Sequence, residues 1–124
     1  MTLRLQCIHK VYENPVSLPQ VPRGTNNMNV GICKIQLRLP ENGSLKDKRQ
    51  LVRSVTDRTR NRFNVAVAEI SDNENKNSLT LGICCVSNNS RHANEILSKT
   101  VDSILSTRLD AELLDYEIEI LQGV

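Results

Sequence analysis

Residues 30–49 read Val-Gly-Ile-Cys-Lys-Ile-Gln-Leu-Arg-Leu-Pro-Glu-Asn-Gly-Ser-Leu-Lys-Asp-Lys-Arg, and two different periods stand back to back in them. In the first half Cys33, Ile35, Leu37 and Leu39 alternate with Lys34, Gln36 and Arg38. That period of two belongs to a strand with one wet face. Pro40 has no amide to continue a ladder, and Glu41-Asn42-Gly43 turns the chain. Ser44 stands three positions before Asp47, a capping box with Asp where Glu is usual. Leu45, Val52, Val55, Thr59 and Phe63 then fall on one stripe, which predicts a helix over residues 45–62.

Downstream, Val65–Ile70 reads as a second strand and Asp72–Ser78 as a polar loop. Leu79–Val86 is apolar on both faces, so it belongs inside the sheet, paired with the second strand as a hairpin. Ser90 caps a second helix whose stripe is Ala93, Ile96, Leu97, Thr100, Val101, Ile104 and Leu105. Leu114, Tyr116, Ile118 and Ile120 alternate with Asp115, Glu117 and Glu119, giving a fourth strand. The order β-α-β-β-α-β predicts an α+β, ferredoxin-like fold: a four-stranded antiparallel sheet, strand order 4-1-3-2, with both helices on one face. The expected core is Cys33, Ile35, Leu37, Val52, Val55, Phe63, Leu81, Ile83, Ile96, Leu97, Val101, Ile104, Tyr116 and Ile118. Residues 1–27 hold three of the four prolines and no sustained period. They read as a flexible extension, with a short strand-like piece at Leu3–Ile8, ahead of a domain over 28–124.

Four stretches resemble the YlxP-like family, a bacterial family catalogued as domain of unknown function 503. They are Gly31–Leu39, Ser44-Leu45-Lys46-Asp47-Lys48-Arg49, Arg62-Phe63-Asn64-Val65 through Ala68-Glu69, and Asp115–Leu121. The resemblance covers about residues 28–121. It implies a ferredoxin-like fold, a cytosolic protein, and genes lying near those for translation initiation factor two and ribosome-binding factor A. The family has no assigned catalytic residues to carry over. The long stretch before Met28 departs from its pattern.

Composition narrows the chemistry. Aromatic residues are 2% of the 124, namely Tyr12, Phe63 and Tyr116, which argues against stacking on bases or sugars. No apolar run is long enough to span a bilayer, and no membrane role is expected. Four cysteines show no C-x-x-C spacing, and His9 and His92 have no partners at ligand spacing. They read as buried free thiols in a reducing cytoplasm, with no metal and no cofactor. The loop Pro40–Ser44 matches neither the arginine-bearing glycine loop of acylphosphatases nor the C-x-x-C loop of copper chaperones, and no catalytic constellation emerges.

Net charge is +2, but it is segregated: Lys46–Arg62 holds seven basic and two acidic residues, and Asp110–Glu119 five acidic and none basic. At 100° per residue from Leu45, Arg49 falls at about 40°, Arg60 at 60°, Arg53 at 80° and Lys46 at 100°, on one flank of the helix. Together with Lys48 they are the candidate polyanion-binding residues. The plain alternative is a solvated helix face, with Asp57 pairing Arg53 and Arg60. Gly43 and Ser44 at the helix start form a candidate anion site, or simply a cap. On the open sheet face, Lys34 and Arg38 are expected to pair with Asp115, Glu117 and Glu119. The reading that results is a non-enzymatic accessory protein of translation or ribosome maturation, its partner ribosomal RNA or a ribosomal protein. The alternative is an interaction module or homodimer joined through the edge strand 65–70.

Overall fold

Alternation, caps and turns place six elements in order: β1 (Asn29–Arg38), α1 (Leu45–Arg62), β2 (Ala66–Ser71), β3 (Ser78–Ser87), α2 (Ser90–Ser106) and β4 (Glu112–Leu121). The computed structural model describes residues 27–40, 43–71, 74–107 and 111–123. The expected extension, apart from Asn27, lies outside the described residues, as do Cys7, His9 and the Leu3–Ile8 piece. All strand pairs are antiparallel, and the order across the sheet is β2-β3-β1-β4. This is the ferredoxin-like arrangement, with both helices on one face. The doubly apolar strand is central, as its composition demands.

Each helix begins where its cap requires. Ser44 Oγ accepts the Asp47 N–H at 3.1 Å and starts α1. The cap of α2 is Asn89 and not Ser90, which is already helical. The Asn89 side-chain oxygen accepts two amides, from Arg91 at 2.9 Å and His92 at 3.2 Å. Asn and Ser serve about equally well as caps, and here the Asn89 side chain takes the role.

The core is built from Cys33, Ile35 and Leu37 of β1, Leu79, Leu81 and Ile83 of β3, Val55 of α1, and Ala93, Leu97, Val101 and Ile104 of α2. Val52, Ile96 and Ile118 pack at its margin. Phe63 closes α1 half-buried, its backbone N–H donating to the Thr59 carbonyl at 2.9 Å. Tyr116, expected inside, is 48% exposed. It faces the helix side opposite Ile35, but β4 is an edge strand, and burial along it begins only at Glu117. Gly31 allows the closest packing. A Cβ there would lie 2.7 Å from Leu97 Cδ1 and 3.0 Å from Cys85 Sγ, so a side chain would lift α2 off β1.

Among the described residues two charged side chains are buried, Glu119 near the end of β4 and Lys48, the deeper of the two. Lys48 is 1% exposed. Its Nζ sits 2.9 Å from Glu69 Oε2 on β2 and donates to the Asn75 carbonyl at 2.7 Å. Asn77, two residues on, donates through Nδ2 to the Leu39 carbonyl and accepts the Leu39 N–H on its own carbonyl, at 2.8 and 2.7 Å. The end of β1, the start of α1 and the β2–β3 turn are thereby fastened to one another. Removing one member of a buried pair strands the other charge. Lys48→Ala should therefore cost about 3 kcal/mol in urea unfolding, while Lys48→Met with Glu69→Leu should cost much less. Gly31→Ala should cost about 1–3 kcal/mol by overpacking, with the same readout.

Candidate functional site

The basic residues of α1 separate into three groups once the helix is docked. Lys48 is withdrawn into the ion pair with Glu69 and belongs to the fold, not to an outward row. Its angle explains this. Counted as above it lies at about 300°, within the apolar stripe centred near 310°, not on the basic flank. Burial of its stem along that stripe requires an acid at the far end, and Glu69 supplies it.

A second group is engaged locally. Arg60 Nη2 donates to the Val67 carbonyl of β2 at 2.8 Å, and its Nη1 lies 3.4 Å from Asp57 Oδ1. Arg58 donates to Ser54 Oγ at 3.3 Å. Arg62 stacks 5.5 Å from the Phe63 ring centre and donates to Ser103 Oγ at 3.4 Å. The third group is Lys46, Arg49 and Arg53. All three are exposed, and among the described residues they make no ion pair or side-chain hydrogen bond. Asp57 therefore pairs with Arg60 alone of the two arginines expected for it.

Arg49, Arg53 and Arg60 line a shallow depression of about 490 Å³ between α1 and β2, with Val52, Thr56, Asp57 and Glu69 completing its floor and walls. The basic flank thus runs along the outer edge of the sheet, above β2. At the helix start, Ser44 is engaged as the cap, and a Cβ on Gly43 would lie 3.3 Å from Asp47 Oδ2. The Asp47 carboxylate already stands where an anion would meet the amides of the first turn.

The open face of the sheet divides into two halves. On the β1–β4 side Lys34 stands opposite Glu117 and Gln36 opposite Asp115. Arg38 pairs with Glu112, Nη2 to Oε2 at 2.7 Å, and not with the three acids expected for it. An irregularity after Gln36 skips Leu114 in the pairing, which brings Glu112 opposite Arg38. With both side chains more than half exposed, at 56% and 57%, this bridge adds little stability.

The β2–β3 half is apolar. Ile32, Ala66, Ala68, Ile70, Gly82 and Cys84 line a largely apolar groove of about 480 Å³, with Lys34 at its β1 border. Ile70 leans over Gly82, where a Cβ would come 2.8 Å from its Cγ2. Among the described residues the expected lattice thus shows as the Arg38–Glu112 ion pair, with Lys34 facing Glu117 in register. The signal for the other half lay in the sequence: Ala66, Ala68 and Ile70 share one parity, opposite to Val67 and Glu69.

The cysteines follow the same division. Cys33 and Cys85 are buried, while Cys84 is exposed in the groove, against the expectation of uniform burial. Burial pushes the Cys85 thiol above its ordinary value, and a backbone hydrogen bond with Gly31 offsets part of that. No three His, Cys, Asp or Glu residues cluster as metal ligands among the described residues. In the native protein N-ethylmaleimide should modify Cys84 rapidly and Cys33 and Cys85 only after denaturation, as peptide mass mapping will read.

Comparison with known proteins gives a family and a distant similarity to solved structures. A family model described as a protein of unknown function (DUF503) matches residues 30–118. The crystal structure of a C-terminal segment of the alpha subunit of aIF2 from Pyrococcus abyssi is similar at 14% identity and a TM-score of 0.45. That match covers 97% of this chain and 60% of the other, so the chain spans about three-fifths of that structure. No curated protein matches. With the family model spanning most of the folded part, from β1 through the first half of β4, the chain belongs to the DUF503 family.

Proposed function

We propose that this protein is a non-enzymatic accessory factor of translation or ribosome maturation that holds a polyanion, RNA phosphates or an acidic protein surface, on the basic flank of α1. The observation that carries the reading is the trio Lys46, Arg49 and Arg53, exposed on one flank without ion pairs among the described residues. Cations left unneutralised beside a depression attract a polyanion from solution and lose that attraction as salt rises. The translation setting follows from the gene neighbourhood that the family resemblance implies. Lys48 takes no part, because its charge is neutralised inside the fold. Gly43 and Ser44 take no part either, since the cap and the Asp47 carboxylate occupy the helix start.

A second reading, a protein-interaction module working through β2, is favoured by the apolar groove beneath that strand. The first reading is tested by sedimenting a cell lysate through a gradient at low and high salt. The protein should travel with large particles at low salt and leave them at high salt. Arg49→Glu with Arg53→Glu should keep it at the top of the gradient in both. Three phosphate contacts would give a salt slope of about −2 to −3 in log–log form. Wild-type protein at the top of both gradients contradicts the proposal.

A further inference from the structure

β2 is an edge strand, paired on one side only, by β3. Its two faces border on opposite chemistries. On the helix side its outer edge runs beneath Arg49 and Arg53 of the cationic depression. On the open side its exposed Ala66, Ala68 and Ile70 form the outer wall of the apolar groove, which lies over β3 between β2 and β1. A strand laid against such an edge sends alternate side chains to opposite faces. One set would meet arginines without ion pairs, and the other would meet the exposed Ala66, Ala68 and Ile70 of β2.

We infer that the outer edge of β2 takes an extended peptide segment of a partner protein in which acidic and apolar residues alternate. This deepens the reading of the basic flank as a binding surface, and rests on it. Main-chain hydrogen bonds to the edge supply affinity, and the two flanking surfaces supply selection. Charge decides against a second copy joined β2 to β2, since that would set two Arg49–Arg53 rows against each other. The edge is guarded at one point, where Arg60 holds the Val67 carbonyl. An incoming strand replaces that donor with its own N–H and releases Arg60 to an acidic side chain, exchanging one hydrogen bond for another.

The test uses the full chain and three fluorescent probes. These are a short peptide alternating valine with glutamate, a peptide of the same composition arranged in two blocks, and a single-stranded RNA of matching length. Anisotropy is read at low and high salt. The alternating peptide should bind, and should bind more tightly than the block peptide. Arg49→Glu with Arg53→Glu should weaken it by about tenfold, two exposed charge contacts having been reversed. Ala68→Asp should weaken it as well, with the circular dichroism unchanged. Equal binding of the two peptides overturns the strand-addition proposal. RNA binding that depends on Arg49 and Arg53, with neither peptide bound, overturns it but leaves the polyanion reading in place. If no probe binds, both are overturned. Self-association that excludes the peptide makes a second copy the occupant and overturns the partner assignment.

Discussion

The Lys48 ammonium lies 2.9 Å from Glu69 and 2.7 Å from the Asn75 carbonyl, at the end of a side chain that is 1% exposed. That single reach connects the first turn of α1, the edge strand β2 and the turn that leads into β3. Coulomb attraction at this depth is largely offset by the cost of stripping water from both charges. The pair matters for position. Two apolar side chains could fill the same space, but they would leave the Asn75 carbonyl without its donor. With Lys48 tied down, the rotation of α1 about its own axis is set, and so is the direction in which Arg49 and Arg53 point. The depression above β2 exists because a neighbouring lysine has been turned inward.

The element order was legible because each element carries its own period and its own stop. Pro40 ends β1, Ser44 opens α1, and the doubly apolar Leu79–Val86 has to be central. The bounds of α1 follow from the cap alone. Tyr116 was not legible, because alternation says which face a residue takes and nothing about whether a helix reaches over it. The Asn89 cap was obscured by the adjacent Ser90, since both residue types serve. At the candidate site, the clustering of Arg49, Arg53 and Arg60 could be read from helical angles. The burial of Lys48 was written in the same angles but masked by residue type, because a lysine on an apolar stripe needs a partner that lies 21 positions away in sequence, at Glu69.

The open face shows a similar limit. Charge pattern on β1 and β4 points to ion pairing, and register brings Lys34, Gln36 and Arg38 opposite acids of β4. The pairing of Arg38 with Glu112 depends on the one irregularity in that ladder, which no local pattern announces. On the other half, alanines and a glycine carry little hydropathy one by one. They become an apolar surface only when the sheet sets β2 and β3 side by side and Ile70 folds over Gly82.

Seven basic residues in α1 suggest a strong positive field, and docking reduces it. Lys48 is neutralised by Glu69, Arg60 is shared between Asp57 and the Val67 carbonyl, and Arg58 and Arg62 are held by local partners. Three cations without ion pairs among the described residues can attract a polyanion, but a surface of that size has little means to tell one polyanion from another. The described aromatics lie at Phe63 and Tyr116, away from the depression, so base stacking cannot supply the selection. Discrimination then has to come from shape beside the charge. Among the described residues the adjacent surface with shape is the edge of β2, whose Ala66, Ala68 and Ile70 wall the apolar groove, and it reads an alternating side-chain pattern more readily than a phosphate backbone. The charge and the groove stand on opposite sides of one short strand, and that placement makes an extended polypeptide the ligand best able to use both.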